Sequence, residues 1–191
     1  METEMPEVTS LESFNGLARR RGWKVRGDGI GRFYLPETGD LNAIWRANAG
    51  PRVPFRGTMT ARLLKRYLKI LVLHERITEA DGGHSYRARL MGEEMADLIG
   101  HGNGKLYSDF VAAPLVPVWH AMSDAVLAHG GPVRFLLCEE QANSRVGEAF
   151  AAPLLTDDGR MDLILSAVRF VPIWTWETVL AHWEEDLAAV A

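Results

Sequence analysis

The period of the apolar positions changes several times along the chain, and each change marks an element. "LNAIWRANAG", behind Asp40, predicts a short helix capped by Asp40 and ended by Gly50 before Pro51. "TMTARLLKRYL" sets Leu63, Leu64, Tyr67 and Leu68 at helical spacing and predicts a second helix. The β-branched run "KILVLHERI", the turn "DGGH" and the segment "SYRARLMG" predict an antiparallel hairpin. "EEMADLIG" is a short helix stopped by Gly100. "PLVPVWHAMSDAVLAHGG" is a longer one, with an apolar stripe of Leu115, Trp119, Met122 and Val126 and a stop at Gly130–Gly131. Three strands follow, "VRFLLCE", "RVGEAFAAPLL" and "MDLILSAVRFV". The last two are joined by "TDDGR", whose Asp158–Gly159 pair is a hairpin signal.

The tail "TWETVLAHWEEDLAAVA" is helical again, and Trp176, Leu180, Trp183 and Leu187 repeat at the 4-3 spacing of a packing seam. Two readings of this seam are open, docking onto the parent core or a homodimer contact, and the homodimer is the expectation carried forward. Strands come in groups rather than alternating with helices, so the class is α+β with an antiparallel sheet. Residues 1 to about 13 are polar and expected to fray. The stretch "FNGLARRRGWKVRGDGIGRFYLPETGD" has no sustained period and reads as an irregular arm. The division is therefore an N-terminal arm over 1–39, a domain over 40–171 and a C-terminal amphipathic helix over 172–191.

Composition narrows the function. The chain has 191 residues, 47% of them hydrophobic, enough for one domain with a sizeable core. A net charge of −4 gives no general attraction to nucleic acid or anionic membranes. No apolar run approaches the ~20 residues that cross a bilayer, and the acidic N-terminus lacks a signal-peptide pattern. One cysteine, Cys138, excludes an internal disulfide framework and fits a reducing compartment. The expected location is the cytoplasm.

The candidate chemistry is sparse. "GHGNGK" at Gly100–Lys105 invites a phosphate, but Ile99 and Leu106 stand where a P-loop needs Gly and Ser or Thr, so it reads as a hinge. The six histidines form no His-Glu-x-x-His pair, and no metal site is expected. Cys138 sits in an apolar strand as a small hydrophobe. Asp157 and Asp158 belong to a turn. Neither a Gly-x-Ser-x-Gly elbow nor any other catalytic constellation is present. "ARRRGWKVRG" carries five positive side chains and Trp23, which could suit nucleic-acid phosphates and base stacking, but the acidic total favours a solvated arm and nucleic acid is not the expected partner.

The segments "PFRGTMTARLLKRYLKILVL", "SYRARLMGEEMADLIG", "GPVRFLLCE" and "PLLTDDGRMDLILSAVRFV" resemble a bacterial family of small stand-alone PAS-like domain proteins. The resemblance rests on Trp45–Arg46, Pro54–Arg56, Tyr86–Gly92 and Pro153–Gly159, and covers residues 40–171. The loop "GHGNG" departs from it, lacking the family's Arg-Asp pair. The resemblance implies a five-stranded antiparallel sheet in order 2-1-5-4-3, helices across one face, and flanking terminal helices. It implies a sensory or regulatory protein rather than an enzyme, which signals through self-association or a partner protein. A small-molecule ligand would occupy a cavity between sheet and helix.

The residues support such a cavity. Gly147, Ala149 and Ala151 share one strand face, leaving volume that Trp119 or a ligand must fill. The expected ligand contacts are Tyr86, Arg89, Tyr107, Trp119 and His120, with Arg89 alternatively paired to a carboxylate. The sequence names no cofactor. Two other readings compete: a cone-shaped α+β enzyme resembling nuclear transport factor 2, with Asp162 or His120 as base, and a nucleic-acid binder through the arginine arm.

Overall fold

The computed structural model describes residues 7–50, 53–139 and 145–190. Ser10 opens the first element, α1 (Leu11–Arg20). Its hydroxyl accepts from the backbone N–H of Ser13, and the Ser13 hydroxyl is close to the Ser10 N–H in return. A four-residue strand, β1 (Val25–Asp28), follows, then α2 (Pro36–Ala49). The arm expected to be irregular is therefore largely ordered. It shows no sustained period because α1 is short and polar on one face, and because three of the four residues of β1 are glycine or charged. The expected fraying covered residues 1 to about 13, of which 1–6 lie outside the described residues, and from Leu11 the chain is helical.

Proline at the first turn starts α2 four residues before the expected cap. Asp40 lies inside the helix, where its carboxylate accepts from the Tyr67 hydroxyl at 2.6 Å. The helix ends at Gly50 in a positive-φ conformation; Pro51 is outside the described residues. The second expected helix is also corrected. Residues 61–70 form a run of turns in which Tyr67 N–H bonds to Leu64 C=O and Ile70 N–H to Tyr67 C=O. That three-residue period buries Leu64, Tyr67 and Ile70 and leaves Leu63 and Leu68 exposed.

The strands β2 (Leu71–Thr78) and β3 (His84–Met91) form the expected hairpin, followed by α3 (Glu93–Ile99), α4 (Tyr107–Phe110) and α5 (Val116–His129). Three strands close the sheet: β4 (Val133–Glu139), β5 (Arg145–Leu154) and β6 (Leu163–Val171). The order is β1-β4-β5-β6-β2-β3, with every neighbouring pair antiparallel. Without β1, the five remaining strands run in the PAS-like order 2-1-5-4-3. The fold is α+β and PAS-like, with a sixth strand added from the N-terminal arm along β4.

Gly92, which closes the Tyr-Arg-x-Arg-Leu-x-Gly motif, packs against the backbone of Leu68 and Lys69. A Cβ there would lie 2.2 Å from a carbonyl oxygen, so no other residue fits.

The sheet is covered on both faces. On one, Phe14 and Leu17 of α1 and Ala121, Ala125 and Val126 of α5 pack over Val25, Phe135, Ala149 and Ile164. On the other, Leu41 and Trp45 of α2 meet Phe150, Ala152 and Leu165. The last helix, α6 (Trp176–Ala188), lies on that second face. Its Val179 and Trp183 are buried against Leu136 and Val146, with Trp176, Leu180, Leu187 and Cys138 half-buried around them. The 4-3 seam thus covers its own sheet, the docking alternative, and its spacing needs no second subunit.

Charge reinforces the docking. The guanidinium of Arg134 is fully buried, 2.9 Å from Asp28 and 3.1 Å from Asp186 of α6, and stands 4.4 Å over the Tyr34 ring. The Trp183 indole N–H donates to the same Asp28 oxygen at 2.8 Å. Tyr34 donates to Asp186 at 2.8 Å. Trp183→Phe removes the indole N–H that donates to Asp28 together with part of the buried ring, and is expected to cost at least about 1–2 kcal/mol. Urea unfolding measures it; an unchanged midpoint would contradict a latch at this position.

Candidate functional site

Between the first sheet face and α3–α5 lies a groove of about 950 Å³. Its floor comes from β5 and β6, where period-two alternation points Ala149, Ala151, Ile164, Ser166 and Val168 the same way. Its wall is α5, contributing Trp119, Met122 and Val126, with Tyr107 and Phe110 at one end and Trp23 at the rim. The small side chains of Ala149 and Ala151 leave the width, as their sequence pattern suggests. Gly147 has another cause. A Cβ there would meet the Arg169 carbonyl at 2.6 Å, so the glycine serves strand packing rather than the groove. Trp119 is half-buried, edge-on to Tyr107 at 5.2 Å and to His74 at 6.2 Å, and it narrows the space without filling it.

One end of the groove is polar. The His74 Nε2 is 2.6 Å from Ser166 Oγ, and its Nδ1 is 2.7 Å from the Tyr107 hydroxyl. Tyr107 in turn lies 3.1 Å from Ser123 Oγ. All four residues line the groove. They sit on four elements, β6, β2, α4 and α5, which the fold brings to one point. Burial pushes the His74 pKa down to about 3, so the ring is neutral. Burial also pushes the Tyr107 hydroxyl up. The chain is therefore uncharged, which suits its apolar surroundings.

Behind Tyr107 stands a second cluster. Tyr86 stacks on Tyr107 at 5.6 Å and donates to Asp124 at 2.6 Å, and His84 reaches the same carboxylate oxygen at 2.7 Å. His120 packs edge-on against Tyr86 and Tyr107, and burial lowers its pKa. Tyr86 and His120 thus support the groove end from outside its lining. Arg89 is exposed on β3 and pairs with Glu75 at 3.3 Å, the alternative its position allowed. Of the five expected contacts, Tyr107 and Trp119 face the groove directly.

Sequence reasoning missed His74, Ser123 and Ser166. Ser166 is a lone polar residue in the apolar run "LILSAV", whereas His74 and Ser123 each open a polar step after apolar residues, in "LVLHERI" and "WHAMSDAV". That signal was present, but it becomes meaningful only when strand register turns two of them inward.

The other candidates are explained locally. In the loop Gly100–Lys105, the Gly104 N–H donates to Ala88 C=O, and the Ala88 N–H donates to Lys105 C=O, so the loop extends the edge of β3. Gly102 lies beneath the Phe110 ring. Asp162 pairs with Arg76 at 2.9 Å and Arg160 at 3.1 Å, and does not line the groove. In the arm, Trp23 packs at the groove rim while Arg26 donates to the carbonyls of Trp23 and Val25. Among the described residues, no group of three or more His, Cys, Asp or Glu side chains is placed to hold a metal ion. No described helix is long and apolar enough to cross a membrane.

No protein-family model matches the chain, and no curated protein does. The bacterial family suggested by the motifs therefore gains no support from that side, and the PAS-like description rests on strand order. Among solved structures, the chain is similar to an RNA-binding light-oxygen-voltage receptor, at 13% identity and a TM-score of 0.40. The match covers 93% of this chain and 47% of that one, so this chain spans about half its length. It is also similar to a light-oxygen-voltage domain studied with a flavin analogue, at 13% identity and a TM-score of 0.39, covering 65% of this chain and 93% of that one.

Proposed function

We propose that this protein is a sensory or regulatory PAS-like module that binds a small, predominantly apolar molecule in the groove under α5. The observation that carries the reading is the groove itself. It has the size of a small-ligand site, walls of aliphatic and aromatic side chains, and polar groups gathered at one end. Sheet strands β4 and β5 face the groove with Phe135 and Ala149 and face α2 and α6 with Leu136 and Glu148. Occupancy on one side is thereby adjacent to a docked helix on the other. A partner protein or a second copy reading the half-exposed rim of α6 would receive the signal.

Binding is favoured over catalysis by the state of His74. Ser166 and His74 have the spacing of a nucleophile and its base. But an imidazole with a pKa of about 3 is too weak a base to activate a hydroxyl, and a tyrosine hydroxyl stands where a carboxylate would orient it. The cone-shaped enzyme reading is further disfavoured by Asp162, which is held in ion pairs away from the groove.

Ala149→Leu tests the proposal, because it adds three carbon atoms to the groove floor. Nile red, a neutral apolar dye, is expected to brighten on binding the natural chain. Its affinity should fall at least about tenfold in the variant, a loss of roughly 1.4 kcal/mol or more. Circular dichroism and thermal unfolding check that the variant is folded. Equal dye binding by both proteins would sink the assignment to this groove.

A further inference from the structure

The polar chain at the groove end fixes what kind of ligand the groove accepts. Ser166, His74, Tyr107 and Ser123 are joined by three contacts, at 2.6, 2.7 and 3.1 Å. Neutral imidazole supplies one N–H, and the three hydroxyls supply one proton each. Four protons for three contacts leave one to spare, and the neutral ring forces it to an end of the chain. With His74 protonated on Nε2, the imidazole donates to Ser166, Tyr107 donates to Nδ1 and Ser123 donates to Tyr107. The spare O–H is then on Ser166. With the proton on Nδ1 every bond reverses, and the spare O–H is on Ser123.

The two ends differ in access. Both serines line the groove, but Ser166 is half-buried on the sheet floor, whereas Ser123, on α5 itself, is only 7% exposed. A molecule in the groove therefore meets Ser166.

We propose that the groove selects an uncharged aromatic or aliphatic molecule carrying one hydrogen-bond acceptor oxygen, a ketone or an ester carbonyl, which takes the spare proton of Ser166. This inference rests on the reading of the groove as a ligand site and adds the ligand's chemistry. The acceptor holds His74 in its Nε2–H form, with Tyr107 and Ser123 aligned behind it. An anionic carboxylate is excluded from this end. Its counter-charge would have to be an imidazolium, and burial keeps that ring neutral. The basic residues lining the groove, Arg21 and Lys24, belong to the segment around Trp23 at the rim, away from the serine.

Three naphthalenes of one shape separate the possibilities: 2-acetylnaphthalene carries the acceptor, 2-isopropenylnaphthalene replaces its oxygen with CH₂, and 2-naphthoate carries a charge. Calorimetric titration of the full chain is expected to give the ketone about tenfold tighter binding than the alkene, with the carboxylate weakest. In Ser166→Ala the ketone should fall to the level of the alkene, while the alkene's own affinity is unchanged. That unchanged affinity also certifies that the variant is folded. Nitrogen-15 NMR of His74 should report the Nε2–H tautomer in the ketone complex. If ketone and alkene bind equally, or if Ser166→Ala leaves the preference intact, the ligand chemistry is wrong while the groove remains a binding site. If none of the three binds, the groove assignment falls and the inference falls with it.

Discussion

Lowering the pH from 7 to 3 is expected to remove about 5 kcal/mol of stability through His74 alone. The folded chain keeps this ring neutral down to about pH 3, whereas the ordinary value is 6.5. Below 6.5 the unfolded chain takes up a proton that the folded chain refuses, so acid favours unfolding. The contribution is intact above pH 6.5 and is lost progressively as the pH falls to about 3. At roughly 1.4 kcal/mol per pH unit, the gap gives the stated figure. The cause is burial, because the ring's partners are the neutral hydroxyls of Ser166 and Tyr107. Urea unfolding across this range, on the natural chain and on His74→Gln, isolates the effect, since carboxylate titrations are common to both. The natural chain should lose stability more steeply than the variant between pH 6 and 4. Parallel curves would show that His74 titrates normally.

Replacing Arg134 with alanine is expected to cost about 3–5 kcal/mol, because it strands the carboxylate of Asp28 without its cation. Asp28 is 4% exposed, and its other side-chain partners are the Trp183 N–H and the nearby Ile30 N–H. The same change releases Asp186 and bares the Tyr34 ring. The guanidinium is not fully satisfied, since its second terminal nitrogen is buried without a hydrogen-bond partner among the described residues. Its charge is nonetheless well compensated. Desolvation works against the charge, but Asp28, Tyr34 and Asp186 together outweigh it and raise the Arg134 pKa. For Asp186 burial also opposes ionisation, and the bonds from Tyr34 and Arg134 prevail, holding the carboxyl below its usual range. That contribution is present above about pH 4 and is lost as the pH falls further. A double-mutant cycle between Arg134→Ala and Asp186→Asn should give a coupling of at least about 0.5 kcal/mol. Strict additivity would mean that the contact does not hold α6 to the sheet.

The sheet was legible because its signals are local. The "DGGH" and "TDDGR" turns, the two-residue alternation of β5 and the grouping of strands mark five strands and two hairpins, while their spatial order was implied only by the resemblance. β1 was not legible. Its sequence, Val25 to Asp28, contains one apolar residue and one glycine, and it becomes a strand by pairing with β4. Residues 61–70 misled for the opposite reason. Leu63, Leu64, Tyr67 and Leu68 satisfy helical spacing on paper, but the backbone turns every three residues, so two leucines point outward. At the candidate site, Tyr107 and Trp119 were found as aromatic residues near the expected cavity. His74 and Ser166 were missed because their pairing depends on the register of β2 against β6, which places His74 opposite Ile164 and Val72 opposite Ser166. The Arg134–Asp28–Asp186 latch joins residues from three distant segments, and nothing in the local sequence of any one of them announces the others.

Nitrogen-15 NMR titration of the full chain with 2-acetylnaphthalene tests the central claim most directly. The expected result is a saturable set of shift changes at Tyr107, Trp119, Ala151 and Ser166, around the groove, with loss of these changes in Ala149→Leu. Shift changes centred on another surface, or none at millimolar ligand, would contradict it.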